Sequence, residues 1–215
     1  MIIGITGSSG AGKSTACEIL EQKYHFKIIN ADKVAKELSK KGTKYLAEIV
    51  AKFGESILLE NGELNRRKLA DIIYQNEEKR KQLNECTLKY IKKEIEEEVR
   101  SIKKVEELEK ADCSNSTSME IDKNFKKLIA IDAPLLFEAG LDKICDTTIA
   151  VVSADKNKQI QRMMERDNID EAHAVARLNA QHSNEFYTNK CQYTVTNDEK
   201  KEDMEMQLEQ ILQKY

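Results

Sequence analysis

The sequence predicts an α/β protein built on a parallel sheet of five strands. Short apolar segments that fit buried strands alternate with longer segments of helical periodicity, the pattern of β-α-β units. The first apolar segment, Ile2–Thr6, stops at Gly7, and a helix-like segment follows the glycine-rich turn. One proline in 215 residues and a charged fraction of 34% favour a helix-rich chain with few rigid turns.

The predicted elements alternate along the chain. A helix over Lys13–Tyr24 places Ala16, Ile19 and Leu20 on one face. Four more strands are predicted over Lys27–Asn30, 128–132, Thr147–Val152 and Tyr193–Thr196.

Two stretches between the strands, 31–110 and 156–182, are predicted to be mostly helical, and 199–214 is predicted to be a closing helix. In the first, Ile91, Ile95, Val99 and Ile102 recur at helical spacing, and the Glu and Lys residues between them fit a solvated face. Residues 111–124 are polar and of low complexity, so we predict a surface loop there.

Composition limits the classes of partner. The net charge is -3, from 35 basic and 38 acidic residues, which lacks the basic excess of a nucleic-acid binder. No apolar run approaches the ~20 residues of a membrane span, and the start does not fit a signal peptide. The five cysteines include no C-x-x-C pair, which favours reduced thiols over disulfides or zinc. We therefore expect a cytoplasmic protein with no membrane or nucleic-acid partner.

A phosphate-binding motif provides the strongest functional signal. Residues 7–14, GSSGAGKS, fit G-x-x-x-x-G-K-[ST] between a predicted strand and a predicted helix. Glycines let consecutive backbone N–H groups face a phosphate, and the helix adds the positive end of its dipole. Lys13 can reach the β- and γ-phosphates, and the Ser14 hydroxyl can bind Mg²⁺. The candidate ATP-binding residues here are Gly7, Gly10, Ala11, Gly12, Lys13, Ser14 and Thr15.

This motif alone does not separate kinases from other nucleotide-binding proteins. A GTPase normally has an N-K-x-D base-reading motif and a D-x-x-G switch, and neither occurs in a suitable place. A small-molecule kinase is therefore favoured over a GTP-dependent switch. Two alternatives stay open: a P-loop kinase acting on a nucleoside, a nucleotide or another small metabolite, and a nucleotide-binding regulator with little catalysis.

Further motifs follow in a fixed order and extend over nearly the whole chain. They are ADKVA at 31–35, NGELNRRKL at 61–69, PLLFE at 134–138, RMMERD at 162–167, and then Gln181 and Asn197. This set resembles the dephospho-CoA kinase family. The resemblance implies transfer of a phosphoryl group from ATP, with Mg²⁺, to the ribose 3′-hydroxyl of dephospho-CoA, giving CoA and ADP.

The resemblance also implies roles for individual residues. Asp32 would orient or deprotonate the attacking hydroxyl, and with Lys13 it forms the candidate catalytic pair. The resemblance places five residues in the acceptor site, Asp32 among them, together with Arg66, Pro134, Leu135 and Glu138. Arg162 and Arg166 would belong to a lid, and Asn197 would lie near the adenine of ATP. The implied architecture is a core of 1–31, 128–155 and 186–215, an acceptor-binding helical insertion of 32–127 and a lid of 156–185.

Simpler structural roles are open for several of these residues. Asp32 could be a helix N-cap, because aspartate is favoured there. Arg66 could be an exposed helix residue, and the lid arginines could pair with Glu165 or Asp170. Asp132 could lie beside Mg²⁺, and we expect His182 to be a surface histidine.

The chain departs from the family pattern at three places. Leu83-Asn84-Glu85-Cys86-Thr87-Leu88 lacks the His-Pro pair that commonly follows Leu-Asn, with Thr87-Leu88 in its place. Gln192 stands where an aspartate is usual before the last strand, and the 111–124 segment is longer than usual. These changes bear on acceptor affinity more than on ATP binding.

Overall fold

The computed structural model describes residues 1–113, 127–197 and 200–215. In those residues the strands are β1 (Ile2–Thr6), β2 (Lys27–Asn30), β3 (Ile129–Asp132), β4 (Thr147–Val152) and β5 (Tyr193–Thr196). They form one parallel sheet in the order β2-β3-β1-β4-β5. The predicted α/β fold with a five-stranded parallel sheet is confirmed.

Helices flank the sheet and fill the long connections. They are α1 (Lys13–Tyr24), α2 (Ala31–Leu38), α3 (Lys44–Phe53), α4 (Arg66–Tyr74), α5 (Glu77–Cys113), α6 (Lys156–Asp167), α7 (Glu171–Asn179), α8 (Asn184–Lys190) and α9 (Lys201–Leu212). Single 3₁₀ turns lie at Glu55–Ile57 and Asp142–Ile144. The predicted loop at 111–124 is wrong for its first residues, because α5 continues to Cys113; residues 114–124 lie outside the described residues.

The three central strands are buried on both faces because helices cover both sides of the sheet. Ile2 packs with the helices of the 32–113 region on one face, whereas Ile3 and Ile5 pack with α1 and α9 on the other. This alternation follows from the two-residue repeat of a strand. It explains why β1 is a continuous apolar run and not an alternating one.

Helix α5 joins the helical region to the sheet. Its 37 residues extend for about 55 Å. The predicted apolar stripe is present, since Ile91, Ile95 and Val99 are buried against α2, α3 and α4 and the apolar face of the sheet. The charged residues between them face solvent.

Truncating the stripe should destabilise the fold. Ile95 is fully buried, so Ile95→Ala is expected to lower the free energy of unfolding by about 2–5 kcal/mol through lost burial and an unfilled cavity. Val105 lies on the same helix but is 45% exposed, and Val105→Ala should change the free energy of unfolding by less than about 0.5 kcal/mol. Urea denaturation of the two variants measures the difference, and equal effects would contradict this account of α5.

The carboxyl ends of the parallel strands meet at one edge of the sheet. The motif residues follow β1 there, Asp32 follows β2, Asp132 ends β3 and Asn197 follows β5. Ligands of open α/β sheets bind at this edge. Gln192, the departure before β5, exchanges hydrogen bonds with Thr148 of β4, so it has a structural role.

Candidate active site

The loop between β1 and α1 has a backbone conformation that requires glycine. Gly7, Gly10 and Gly12 have φ of 140°, 74° and 107°, in the left-handed region that residues with a side chain rarely adopt. Each glycine also lies against another segment: a Cβ on Gly7 would lie 2.1 Å from the Val151 carbonyl oxygen. The same atom on Gly10 would lie 2.5 Å from the Gln159 carbonyl oxygen. The loop therefore cannot carry side chains at these positions without moving its neighbours.

Side chains from distant segments hold the loop in place. Gln181 accepts from the Ser9 N–H at 2.7 Å and donates to the Ser9 hydroxyl at 2.9 Å. Gln159 donates to the buried Ser8 hydroxyl at 3.0 Å. Asn197 donates to the Ala11 carbonyl at 2.9 Å, and its own N–H donates to the Val152 carbonyl. These hydrogen bonds order the loop before any ligand binds.

Gly12 offers a test of this arrangement. A Cβ there would lie 2.1 Å from Asn197 Nδ2, so Gly12→Ala combines backbone strain with displacement of Asn197 from the loop. We expect ATP affinity to fall about tenfold or more, because such strain is on the order of 1–3 kcal/mol. Gly42 is the matched control: its φ is 87°, but nothing lies within 4 Å of its Cβ position. ATP binding measured by calorimetry should be unchanged in Gly42→Ala, and unchanged binding in Gly12→Ala would contradict the role of the loop.

Lys13 is the first residue of α1 and turns back over the loop. Its Nζ donates to the Gly7 carbonyl at 2.7 Å and the Ser8 carbonyl at 3.0 Å. Burial lowers the pKa of Lys13, and the negative charges of Asp132 and Asp32 oppose that shift. The ammonium group therefore lies over the phosphate cradle and close to both carboxylates.

Asp132 ends β3 beside the loop and is almost completely buried. Its Oδ2 accepts from Asn30 Nδ2 at 2.7 Å, and Oδ1 has no hydrogen-bond partner in the part of the chain that the structure describes. Burial raises the pKa of Asp132, and the Lys13 charge opposes that shift. A buried carboxylate oxygen left without a donor fits a group that interacts with a cation.

Asp32 lies in the first turn of α2 and is exposed to the cleft. The alternative role of Asp32 as the N-cap is wrong, because Asn30 caps the helix: its side chain accepts from the Lys33 N–H at 2.8 Å. The carboxylate of Asp32 is therefore not engaged in capping. Its charge acts on Lys13, Asp132 and Arg166, which places it among the charged groups around the loop.

A cleft of about 670 Å³ lies between the loop and the helical region. Ser9 of the loop lines it, together with Asp32, and α5 supplies basic and apolar side chains. Pro134, Leu135 and Glu138 also line it, at the end of the sheet. Four of the five acceptor candidates thus share one cleft.

Arg66 does not line this cleft. It begins α4 and its guanidinium donates to the Lys36 carbonyl at 3.3 Å and to the Ser39 hydroxyl at the end of α2. In this conformation Arg66 joins α4 to α2. It fixes the helix that carries Asp32, and its charge also acts on Tyr45, which lines the cleft.

The two arginines predicted to belong to a lid have different partners. Arg162 donates to the Gly10 carbonyl at 3.1 Å, so it contacts the loop directly. Arg166 forms two hydrogen bonds of 2.8 Å with Asp167, which raise its pKa. Asp167 also accepts from Arg177 at 2.6 Å and so holds two guanidinium groups near the cleft. Neither lid arginine pairs with Glu165 or Asp170 in the structure.

Another cavity, of about 620 Å³, lies far from these groups. Met1, Phe26 and Leu128 line it, just before β1, β2 and β3, at the amino ends of the strands. Because ligands of such sheets bind at the carboxyl ends, the cleft beside the loop is the candidate active site.

Comparison with known proteins agrees with this geometry. The family model for dephospho-CoA kinase matches residues 1–110 and 105–203. The chain belongs to the dephospho-CoA kinase family. A dephospho-CoA kinase of Listeria innocua serovar 6a is 34% identical over 99% of this chain and 96% of its own length. One from Fusobacterium nucleatum subsp. nucleatum is 36% identical, covering 98% of this chain and 96% of its own.

Solved structures share the fold. TT1252 from Thermus thermophilus superimposes with a TM-score of 0.70 at 23% identity, covering 100% of this chain and 97% of its own. Dephospho-CoA kinase from Campylobacter jejuni gives a TM-score of 0.61 at 24% identity, covering 99% and 96%. At 23% and 24% identity, these two comparisons show a common fold and nothing more.

Some residues around the site were not predicted to contribute. Gln159 and Arg177 lie in a segment predicted only as helical and basic, and their contacts depend on how α6 and α7 fold back on the loop. His182 is exposed as expected, but it lines the cleft and its ring lies against Glu138.

The described residues include no helix long and apolar enough to cross a bilayer.

Proposed function

We propose that the chain transfers the γ-phosphoryl group of ATP to the ribose 3′-hydroxyl of dephospho-CoA, giving CoA and ADP. The observation that carries the proposal is the shared cleft, in which Asp32 lies beside an ordered phosphate loop and close to Lys13. A donor phosphate on the loop and an acceptor hydroxyl at Asp32 would then meet at one place. Family membership supplies the identity of the acceptor.

The residues of the chain suggest how the reaction proceeds. The acceptor oxygen attacks the γ-phosphorus, the bond from that phosphorus to the β–γ bridging oxygen breaks, and the carboxylate of Asp32 takes the hydroxyl proton. Loop N–H groups and Lys13 compensate phosphate charge throughout the transfer. Positioning and charge stabilisation supply most of the rate enhancement in such reactions.

Mg²⁺ is the metal that we propose to accompany ATP. The Ser14 hydroxyl is exposed in the first turn of α1, and the buried Asp132 carboxylate has an oxygen without a donor among the described residues. Oxygen donors from one or two side chains, with phosphates and waters, are the usual surroundings of Mg²⁺. Bound there, it would supply positive charge at the phosphates.

We propose that two regions of the chain outside the core have separate functions. The helical region 32–127 would bind the acceptor, because α2 and α5 line the cleft. The lid, 156–185, would contribute Arg162 and Arg166 when ATP binds and would exclude water, which otherwise competes as acceptor. Asn197 would contact the adenine of ATP from its position beside the loop.

An acceptor screen tests the function directly. ADP release from ATP and Mg²⁺ is measured alone, with dephospho-CoA, and with other nucleosides, nucleotides and shikimate-sized alcohols. We expect release only with dephospho-CoA, together with formation of CoA. Stimulation by a different acceptor would identify another kinase, and no stimulation by any acceptor would identify a nucleotide-binding regulator.

We also place the enzyme in the cytoplasm. Cys17, Cys86, Cys145 and Cys191 are free thiols, and Cys17 and Cys86 are buried. Thiols without disulfide partners are typical of a reducing compartment.

A further inference from the structure

An aromatic stack forms one wall of the cleft. The His182 ring lies on the Phe186 ring with centroids 3.7 Å apart and planes 15° apart. Its Nε2–H donates to Glu138 Oε1 at 2.7 Å, which fixes the plane of the ring. Phe137 and Tyr187 contact Phe186 edge-on, with centroids 6.4 and 5.4 Å away. The His182 ring is therefore held rigidly from below and from one edge.

The other face of this ring is open. The side chain of His182 is 45% exposed although Phe186 covers one of its faces, and His182 lines the cleft. A rigid planar ring with one open face is a surface on which another aromatic ring can stack. Because Phe186 and the hydrogen bond to Glu138 already fix the His182 ring, little side-chain freedom is lost when a ligand binds.

The stack is tied to the phosphate loop from two directions. Gln181, next to His182 in the chain, holds Ser9 through two hydrogen bonds of 2.7 and 2.9 Å. The segment that carries Glu138 begins at Pro134, whose carbonyl accepts from the Thr6 hydroxyl at 3.2 Å. The open face of His182 therefore keeps a fixed position relative to the phosphate loop.

We propose that the open face of His182 is the stacking platform for the adenine of the acceptor. The inference rests on the proposed function. The reacting hydroxyl and this adenine are attached to the same ribose, so the base must bind no farther from Asp32 than the ribose ring allows. His182 and Asp32 line the same cleft. The proposed function assigns the adenine of ATP elsewhere, beside Asn197, whose amide contacts the loop at Ala11 and not at Ser9, the partner of Gln181.

Steady-state kinetics provide the first test. His182→Ala should raise the KM for dephospho-CoA about tenfold, the usual scale of base–aromatic stacking, with the KM for ATP unchanged. His182→Phe keeps a flat ring and should restore the KM to within about twofold of wild type. His25, an exposed histidine after α1, is the matched control. Its φ is 58°, a conformation that asparagine tolerates. His25→Asn should therefore leave both KM values unchanged. A rise in the KM for ATP, or a phenylalanine variant as impaired as the alanine variant, would overturn the platform.

A fluorescence experiment separates this inference from the proposed function. The chain has no tryptophan, so His182→Trp places a single indole at the platform. With a non-hydrolysable ATP analogue on the loop, dephospho-CoA should quench the emission and 4′-phosphopantetheine, which lacks adenine, should not. If calorimetry shows that the wild-type protein binds dephospho-CoA and the emission does not respond, the platform is refuted and the function stands. If the wild-type protein does not bind dephospho-CoA, both proposals fail.

Discussion

Lys13→Ala is expected to reduce phosphoryl transfer by about 100- to 1,000-fold or more, the scale on which single charge-stabilising groups act in active sites. The ammonium group lies over the loop, where the phosphates would bind. Turnover with dephospho-CoA under saturating ATP measures the loss. Lys52 is exposed on α3, so Lys52→Ala removes the same charge away from the site and should retain full turnover.

The Lys13→Ala variant should remain folded. The substitution removes a half-buried ammonium group whose pKa is lowered by burial. Because burying this charge is unfavourable, its removal compensates for the loss of the two hydrogen bonds to carbonyls. Thermal unfolding should therefore shift by only a few degrees, within the range of an ordinary substitution. A folded Lys13→Ala protein with wild-type turnover would refute the assignment of this loop to ATP.

Asp32→Asn should lower turnover by about 100-fold or more if Asp32 handles the acceptor proton. The change keeps the shape of the side chain and removes its charge. Since Asn30 caps α2, the stability loss should be limited to the helix-dipole interaction of a first-turn carboxylate, about 0.3–1 kcal/mol. Glu60 is exposed and remote from the cleft, so Glu60→Gln serves as the control for loss of one negative charge.

Two measurements on this variant separate its possible roles. ATP affinity without acceptor should barely change, because the loop supplies that binding, while turnover with dephospho-CoA falls. Unaltered turnover would return Asp32 to a structural role. Joint loss of turnover and of ATP binding would instead assign Asp32 to the magnesium site, next to Asp132.

The sequence predicted the strands well because each carries its own signal. β1, β2, β4 and β5 have the predicted bounds, and β3 begins at Ile129, one residue later than predicted. Apolar runs and the glycine-rich turn are local features that tertiary contacts reinforce. Residues 111–113 were predicted to lie in the loop, but α5 continues through them, and this helix is anchored elsewhere by Ile91, Ile95 and Val99.

The contacts within the site were harder to predict because they join segments distant in sequence. Asp32 and Asn30 are both favourable N-cap residues, and only the backbone shows which of them caps α2. Arg66 matches a family motif, yet its guanidinium binds the end of α2 rather than lining the cleft. The partnership of Ser9 with Gln181 depends on how the chain after α7 packs on the loop, which no local sequence pattern predicts.

The position of β1 in the sheet determines when the phosphate loop can form during folding. Ile2 pairs with Ile129 and Ile3 with Thr147, so both partners of this early strand lie in the second half of the chain. Parallel pairings over such separations form slowly, and an apolar strand waiting for them is prone to aggregate. Gly7 in turn packs against Val151 of β4. A nascent chain that ends before β4 would therefore have no organised nucleotide site, although the residues of the loop precede β4 in the chain.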